Sequence, residues 1–188
     1  MTKIAILSAI SAVIMLFEFP LPFAPSFYEL DLSEAVILMG GFAMGPVAAV
    51  IMELIKNLIN LWLNWTITAG VGELANFIIG CALTVPAAAI YKYKKSFKGA
   101  IIGLVTGIIS LVIIGGFVNY FIMIPAYVKL AGFPMEAILS MSKEVNPLVN
   151  SLETLIIFAT VPFNLIKGIV CALINLLLYK RLSKILHI

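Results

Sequence analysis

Charge is what this chain has least of. Only 11% of its 188 residues are Asp, Glu, Lys or Arg, against 63% that are hydrophobic. A soluble globular domain carries about 25% charged residues, so that class is excluded, and the mean hydropathy of +1.16 makes this an integral membrane protein. Histidine and aspartate are nearly missing. The single histidine is His187, the penultimate residue, and the single aspartate is Asp31, which rules out both a Ser–His protease and a two-aspartate protease inside the membrane. No GxxxxGK[ST] loop occurs, so the chain does not hydrolyse ATP by that route. The two cysteines, Cys81 and Cys171, fall in apolar runs, where reduced thiols act as small hydrophobes rather than as a disulfide or a metal set. An enzyme, a metal site and a resident cofactor are therefore not expected.

The basic residues that are present are unevenly placed. Of the twelve, Lys3, Lys92, Lys94, Lys95, Lys98, Lys180, Arg181 and Lys184 fall at the N-terminus, in one connection and at the C-terminus. This is the positive-inside pattern of a multi-pass membrane protein and not a nucleic-acid patch. With those clusters cytoplasmic, the apolar runs give six helices at about 3–17, 33–44, 46–63, 71–93, 98–128 and 154–186, one membrane-embedded domain over 1–188, and both termini cytoplasmic. The first run lacks a small-residue cleavage site in the FEFPLPFAPSF that follows, so it is expected to persist as a helix. Gly40 to Pro46 supplies a tight turn, which leaves helix 2 short for a span: tilted and shielded, or not fully crossing. Helices 3 and 4 join outside through NWTITAG, with Trp62 just before it and Trp65 within it, where interfacial aromatics belong. The longest connection, 129–153, contains PMEAILSMSKEV, which suits a short interfacial helix. No internal repeat supports an inverted-repeat carrier.

Polar side chains within such helices normally face protein or water, because a charged one costs about 2.5–3.5 kcal/mol on insertion scales. Glu53, Lys56, Asn57 and Asn60 share a stripe of helix 3; Glu73 and Asn76 open helix 4; Asn119 follows two glycines in helix 5; Asn164 and Lys167 follow Pro162 in helix 6. The topology puts Asn57, Asn60, Glu73, Asn76, Asn119, Asn164 and Lys167 in the outer half, under the loop PLPFAPSFY, where they suggest a pocket open to the outside. Interhelical hydrogen bonding is the alternative use, and for Glu53 and Lys56, one turn apart, mutual neutralisation is the better reading. Lys167 has no acidic residue within a turn of its own helix and lies roughly 20 Å from the helix's outer end, too deep to snorkel. It is expected to lack a fixed counter-charge and to donate to a ligand. Ala5, Ala9 and Ala12, with Ser8 alongside, put small residues toward one face of helix 1, as at close helix contacts in membranes.

EFPLPF, LDLSEAVILMGGFAMGP, IKNL, GVGELANFIIG and NLIKG, together with the six-helix length and the small-residue first helix, resemble the substrate-binding S components of energy-coupling factor vitamin transporters, and most closely the riboflavin-specific members. The resemblance implies a plasma-membrane protein of a prokaryote that captures riboflavin from outside as a transported ligand. It further implies association with a transmembrane coupling subunit and two cytoplasmic ATPases. On that resemblance Asn119, Asn164 and Lys167 are ligand contacts, Ala5 and Ala9 dock the coupling subunit, and the outer loops after helices 1 and 3 gate the pocket. Met39, Phe117 and Phe163 are candidate walls for a flat ring. By charge, cationic thiamine would sit badly beside Lys167, while anionic folate or biotin would not be excluded. A membrane assembly subunit without transport remains the reading of a different class.

Overall fold

The computed structural model describes residues 1–63 and 70–186, with side chains through position 178. The helices follow the apolar runs because each run closes its own backbone hydrogen bonds, the only economical arrangement in lipid. They are α1 (Thr2–Met15), α2 (Ser33–Met44), α3 (Pro46–Leu63), α4 (Val71–Tyr93), α5 (Phe97–Val118), α6 (Ile124–Lys129), α7 (Met135–Val145), α8 (Leu152–Leu155) and α9 (Val161–Leu186). A π-helical turn over Asn119–Met123 joins α5 to α6, and a second over Ile156–Thr160 joins α8 to α9. Four of the resulting rods are long and apolar enough to cross a membrane: Pro46–Leu63, Val71–Tyr93, Phe97–Lys129 and Leu152–Leu178. At 14 and 12 residues, α1 and α2 are apolar but shorter. The chain is thus an all-α membrane protein with, among the described residues, four such rods and two shorter apolar helices.

The α2–α3 turn differs from the expected Gly40–Pro46 break. Gly40 and Gly41 are buried inside α2, and a Cβ on Gly41 would stand 3.0 Å from that of Ala88 and 3.2 Å from that of Ala49. These glycines serve close packing, and the turn is made by Gly45 alone, at φ 92°, just before Pro46 in the first turn of α3. Glycine also brings α5 to its neighbours: a Cβ on Gly103 would come 2.7 Å from the Ala87 carbonyl of α4. The core between α2, α4, α5 and α9 is Leu38, Leu83, Leu104, Leu111 and buried Cys171; Cys81 is likewise a free thiol.

At the end of the bundle opposite the Lys92–Lys98 connection, residues 16–32 fold over the helices. Two short strands, β1 (Phe19–Pro20) and β2 (Glu29–Leu30), pair antiparallel with Phe19 opposite Leu30. The loop is held down by Ala24, Tyr28 and Leu30, which pack on Ile124, Ile138, Val149, Leu155 and Phe163. PMEAILSMSKEV forms a helix, α7, with Ile138 turned into that cluster and Met141 outward. Trp62 is 83% exposed at the end of α3. Trp65 and His187 lie outside the described residues, as do the side chains of Lys180, Arg181 and Lys184.

Candidate functional site

A cavity opens beneath the loop, between the starts of α4 and α9 and the π-turn after α5. Counted with its open mouth it holds about 810 Å³ of empty space. Its walls carry three amides, Asn76, Asn119 and Asn164, with the rings of Phe27, Tyr28, Tyr127 and Phe163. Tyr28 stacks on Phe163 at 5.3 Å between centroids. Its phenol donates to Asn119 Oδ1 at 3.0 Å and, having one hydrogen, accepts from Thr160 Oγ1 at 2.7 Å. Asn119 Nδ2 donates to the Gly115 carbonyl at 2.8 Å, and Asn164 Nδ2 to the Thr160 carbonyl at 3.0 Å. Both π-turns thus deliver a side chain to this knot, Asn119 from one and Thr160 from the other. Such turns shift the faces that follow them and recur at functional sites.

Lys167 reaches the cavity, but not as the unpaired cation the sequence suggested. Its Nζ lies 2.8 Å from Asp31 Oδ2 and 3.2 Å from Glu34 Oε2. Its own helix holds no acid near it; the partners come from the end of the proline-rich loop and the first turn of α2. The network continues inward. Glu34 Oε1 is 3.1 Å from Lys56 Nζ, which in turn is 2.8 Å from Glu53 Oε2. Asp31, Lys167, Glu34, Lys56 and Glu53 form an alternating ladder of three carboxylates and two ammonium groups, all at most 5% exposed. The Ser33 hydroxyl ties it together, donating to Asp31 and accepting from Lys56 Nζ at 3.2 Å, and Ser11 of α1 donates to the Ser33 carbonyl at 2.9 Å. Glu53 and Lys56 do neutralise each other across one turn, as their spacing suggests. The Glu53 carboxylate lies against Gly80 of α4, where a Cβ would come 2.6 Å from either oxygen.

Two expected site residues face elsewhere. Asn57 and Glu73 line a separate, almost wholly apolar groove with Leu54, Leu58, Leu61, Leu74 and Phe77. Asn57 bends back to donate to the Glu53 carbonyl at 2.8 Å. Glu73 and Asn76, three residues apart, differ by about 60° around α4, enough to aim them into different spaces. Phe117 also departs from expectation: it is 59% exposed on the outside of α5 and packs on Phe121. Met39 is half-buried and does not line the cavity, whereas Phe163 does. On α1, Ala5 and Ala9 are exposed on the outer face, but Ala12 is 2% exposed and turned inward with Ser8 and Ser11.

Three carboxylates missed in the sequence give the mouth its charge: Glu18 just before β1, Glu29 in β2, and Asp31 below. Partial burial pushes the Glu18 carboxyl up to about 7, with Glu29, through charge and a hydrogen bond, and Asp31 adding to the effect.

Residues 1–179 match the family described as ECF transporter, substrate-specific component. The chain belongs to that family. As an S component it is a transport subunit and not an enzyme. It is similar to the riboflavin transporter RibU of Staphylococcus aureus strain TCH60, with 38% identity over 185 residues covering 97% of this chain and 89% of the relative. It is also similar to the riboflavin transporter FmnP of Bacillus subtilis strain 168, with 31% identity over 181 residues covering 96% and 90%. A solved structure of the S component of a bacterial ECF transporter superimposes with a TM-score of 0.74 at 35% identity, covering 98% of this S component and 95% of that chain.

Proposed function

We propose that this S component is the riboflavin-binding subunit of a vitamin uptake system, holding riboflavin in the cavity beneath the proline-rich loop. The observation that carries the reading is the cavity's pairing of three amides with stacked aromatic walls around a lysine whose charge is already compensated. Riboflavin joins a flat, largely apolar tricycle with imide and carbonyl edges to an uncharged ribityl chain. Asn76, Asn119 and Asn164 both donate and accept, which suits the imide edge and the hydroxyls, and Lys167, with two of its three N–H groups turned to Asp31 and Glu34, adds one donor without adding net charge. Glu18, Glu29 and Asp31 turn the earlier charge argument round. A cavity lined by three carboxylates and one paired lysine disfavours anionic folate or biotin, and it does not repel a cation as a bare Lys167 would.

In this reading six helices cross the plasma membrane of a prokaryote, with both termini in the cytoplasm and the loop 16–32 facing outside. The exposed Ala5 and Ala9 of α1 dock a transmembrane coupling subunit, which two cytoplasmic ATPases serve. The absorbance spectrum of the purified chain tests the ligand: a flavin band that co-purifies, or appears after incubation with riboflavin and gel filtration, supports it. A protein that retains no flavin after saturation at micromolar concentration would overturn it.

A further inference from the structure

A second cavity lies outward of the first, between the loop, α6 and α7, with about 790 Å³ of empty space including its mouth. Phe27, Glu29 and Tyr127 line both cavities, so the two are separated by little more than these side chains. Phe133, Ile138 and Met141 line the outer one alone. The chain is folded to put Phe133 there. Gly132, at φ 70°, turns the backbone so that the Phe133 N–H donates to the Tyr127 carbonyl at 3.1 Å. That returns the Phe133 ring edge-on to Tyr127, at 6.3 Å between centroids. Tyr127 is 5.8 Å from Phe27, Phe27 is 4.8 Å from Tyr28, and Tyr28 stacks on Phe163. A continuous row of five rings therefore runs from the outer cavity to the inner one.

Two observations single this space out. Phe133 and Met141 are 43% and 40% exposed although they flank a concave surface, so they keep apolar area that the fold does not use. The row is also graded: the outer cavity offers rings with Ser26 and Glu29 and no amide side chain in its lining, the inner one rings with Asn76, Asn119 and Asn164. Apolar and aromatic walls alone attract a flat ring without fixing its edge.

The geometry points to the outer cavity as a waiting site, in which a flat aromatic ligand is held loosely by Phe133, Met141 and Tyr127 before passing Phe27 into the inner cavity. The inference rests on the riboflavin reading above for the identity of that ligand. Because the bound ligand has left the outer cavity, changes there alter how fast equilibrium is reached and leave the final affinity alone.

Stopped-flow quenching of flavin fluorescence on the full chain tests this. In the unaltered protein the observed rate bends toward a plateau with riboflavin concentration, because the waiting site saturates. Phe133→Ala raises the half-saturating concentration about two- to tenfold, the size of one lost aromatic contact. The equilibrium affinity stays within about twofold, and Phe133→Trp restores the original curve. Met141→Ala, on the other wall, gives a second reading if Phe133→Ala folds poorly. A Phe133→Ala curve that superimposes on the original, or an effect confined to faster release with weaker affinity, would overturn the waiting site while leaving riboflavin binding intact. Absence of quenching in the unaltered chain would overturn the riboflavin reading and the waiting site with it.

Discussion

The buried ladder makes a quantitative prediction about pairs of substitutions. At 2.8 Å, the attraction of Lys167 for Asp31 is about 6 kcal/mol at an effective dielectric constant of 20, much of it offset by the cost of burying both charges. The balance changes with the ladder's net charge, which is minus one with three carboxylates and two ammonium groups. Lys167→Met leaves three carboxylates facing Lys56 alone, a net charge of minus two in a buried site. It should destabilise the chain by about 3–5 kcal/mol, the usual cost of orphaning a buried charge. Asp31→Asn leaves two carboxylates and two ammonium groups, a balanced set, and should cost only about 1.5–3 kcal/mol for the lost charged hydrogen bond. The double variant returns to a net charge of minus one, so it should cost at least about 2 kcal/mol less than the sum of the two single changes. Thermal unfolding of the four proteins in the same detergent measures the coupling. Additivity within about 0.5 kcal/mol, the behaviour of distant independent sites, would refute the ladder.

Further outcomes follow from the same contacts. Gly115→Ala would put a Cβ 2.6 Å from Asn164 Nδ2; moving that amide should weaken riboflavin binding about tenfold or more, read by fluorescence titration. Gly80→Ala drives a Cβ against the Glu53 carboxylate and should destabilise the fold by about 1–3 kcal/mol, as overpacking does. Glu18 has a carboxyl raised in the folded loop from 4.5 to about 7, so the docked loop binds its proton more tightly than an open one. That contribution is fully present below 4.5 and is lost as the pH rises through about 7; riboflavin release should quicken over this window, and Glu18→Gln should flatten the dependence. Ala9→Trp, on the exposed face of α1, should leave riboflavin affinity of the isolated chain unchanged and abolish its co-purification with the coupling subunit.

Helices were the most legible part of the sequence. Apolar runs long enough for lipid fix their own boundaries, and α2, α3 and α4 begin and end where the runs do, because Gly45, Pro46 and the Lys94–Lys95 pair interrupt the pattern locally. Asn119, Asn164, Lys167 and Asn76 were legible as cavity residues because an amide or ammonium group in an apolar helix needs polar surroundings, although Asn57 meets that need on its own helix and Lys56 in the ladder. What was not legible is what depends on distant chain segments. Asp31 meets Lys167 across 136 positions, and helical periodicity within α9 carries no trace of it, although a lone aspartate in so uncharged a chain was a signal to follow. The π-turns at Asn119–Met123 and Ile156–Thr160 likewise left no mark. Periodicity also overreached. A stripe drawn through Glu53, Lys56 and Asn57 spans enough arc to put the first two in the buried ladder and Asn57 on the apolar groove, one through Glu73 and Asn76 puts them in different cavities, and Ala12 turned inward where Ala5 and Ala9 did not.

The central claim is that the amide-lined cavity holds riboflavin. Titration of the purified chain with riboflavin, alongside Asn164→Ala at matched thermal stability, tests it most directly. Saturable quenching in the parent chain and an affinity at least about tenfold weaker in the variant are expected. Equal affinity in the two proteins, or no saturation in the parent at micromolar riboflavin, would contradict it.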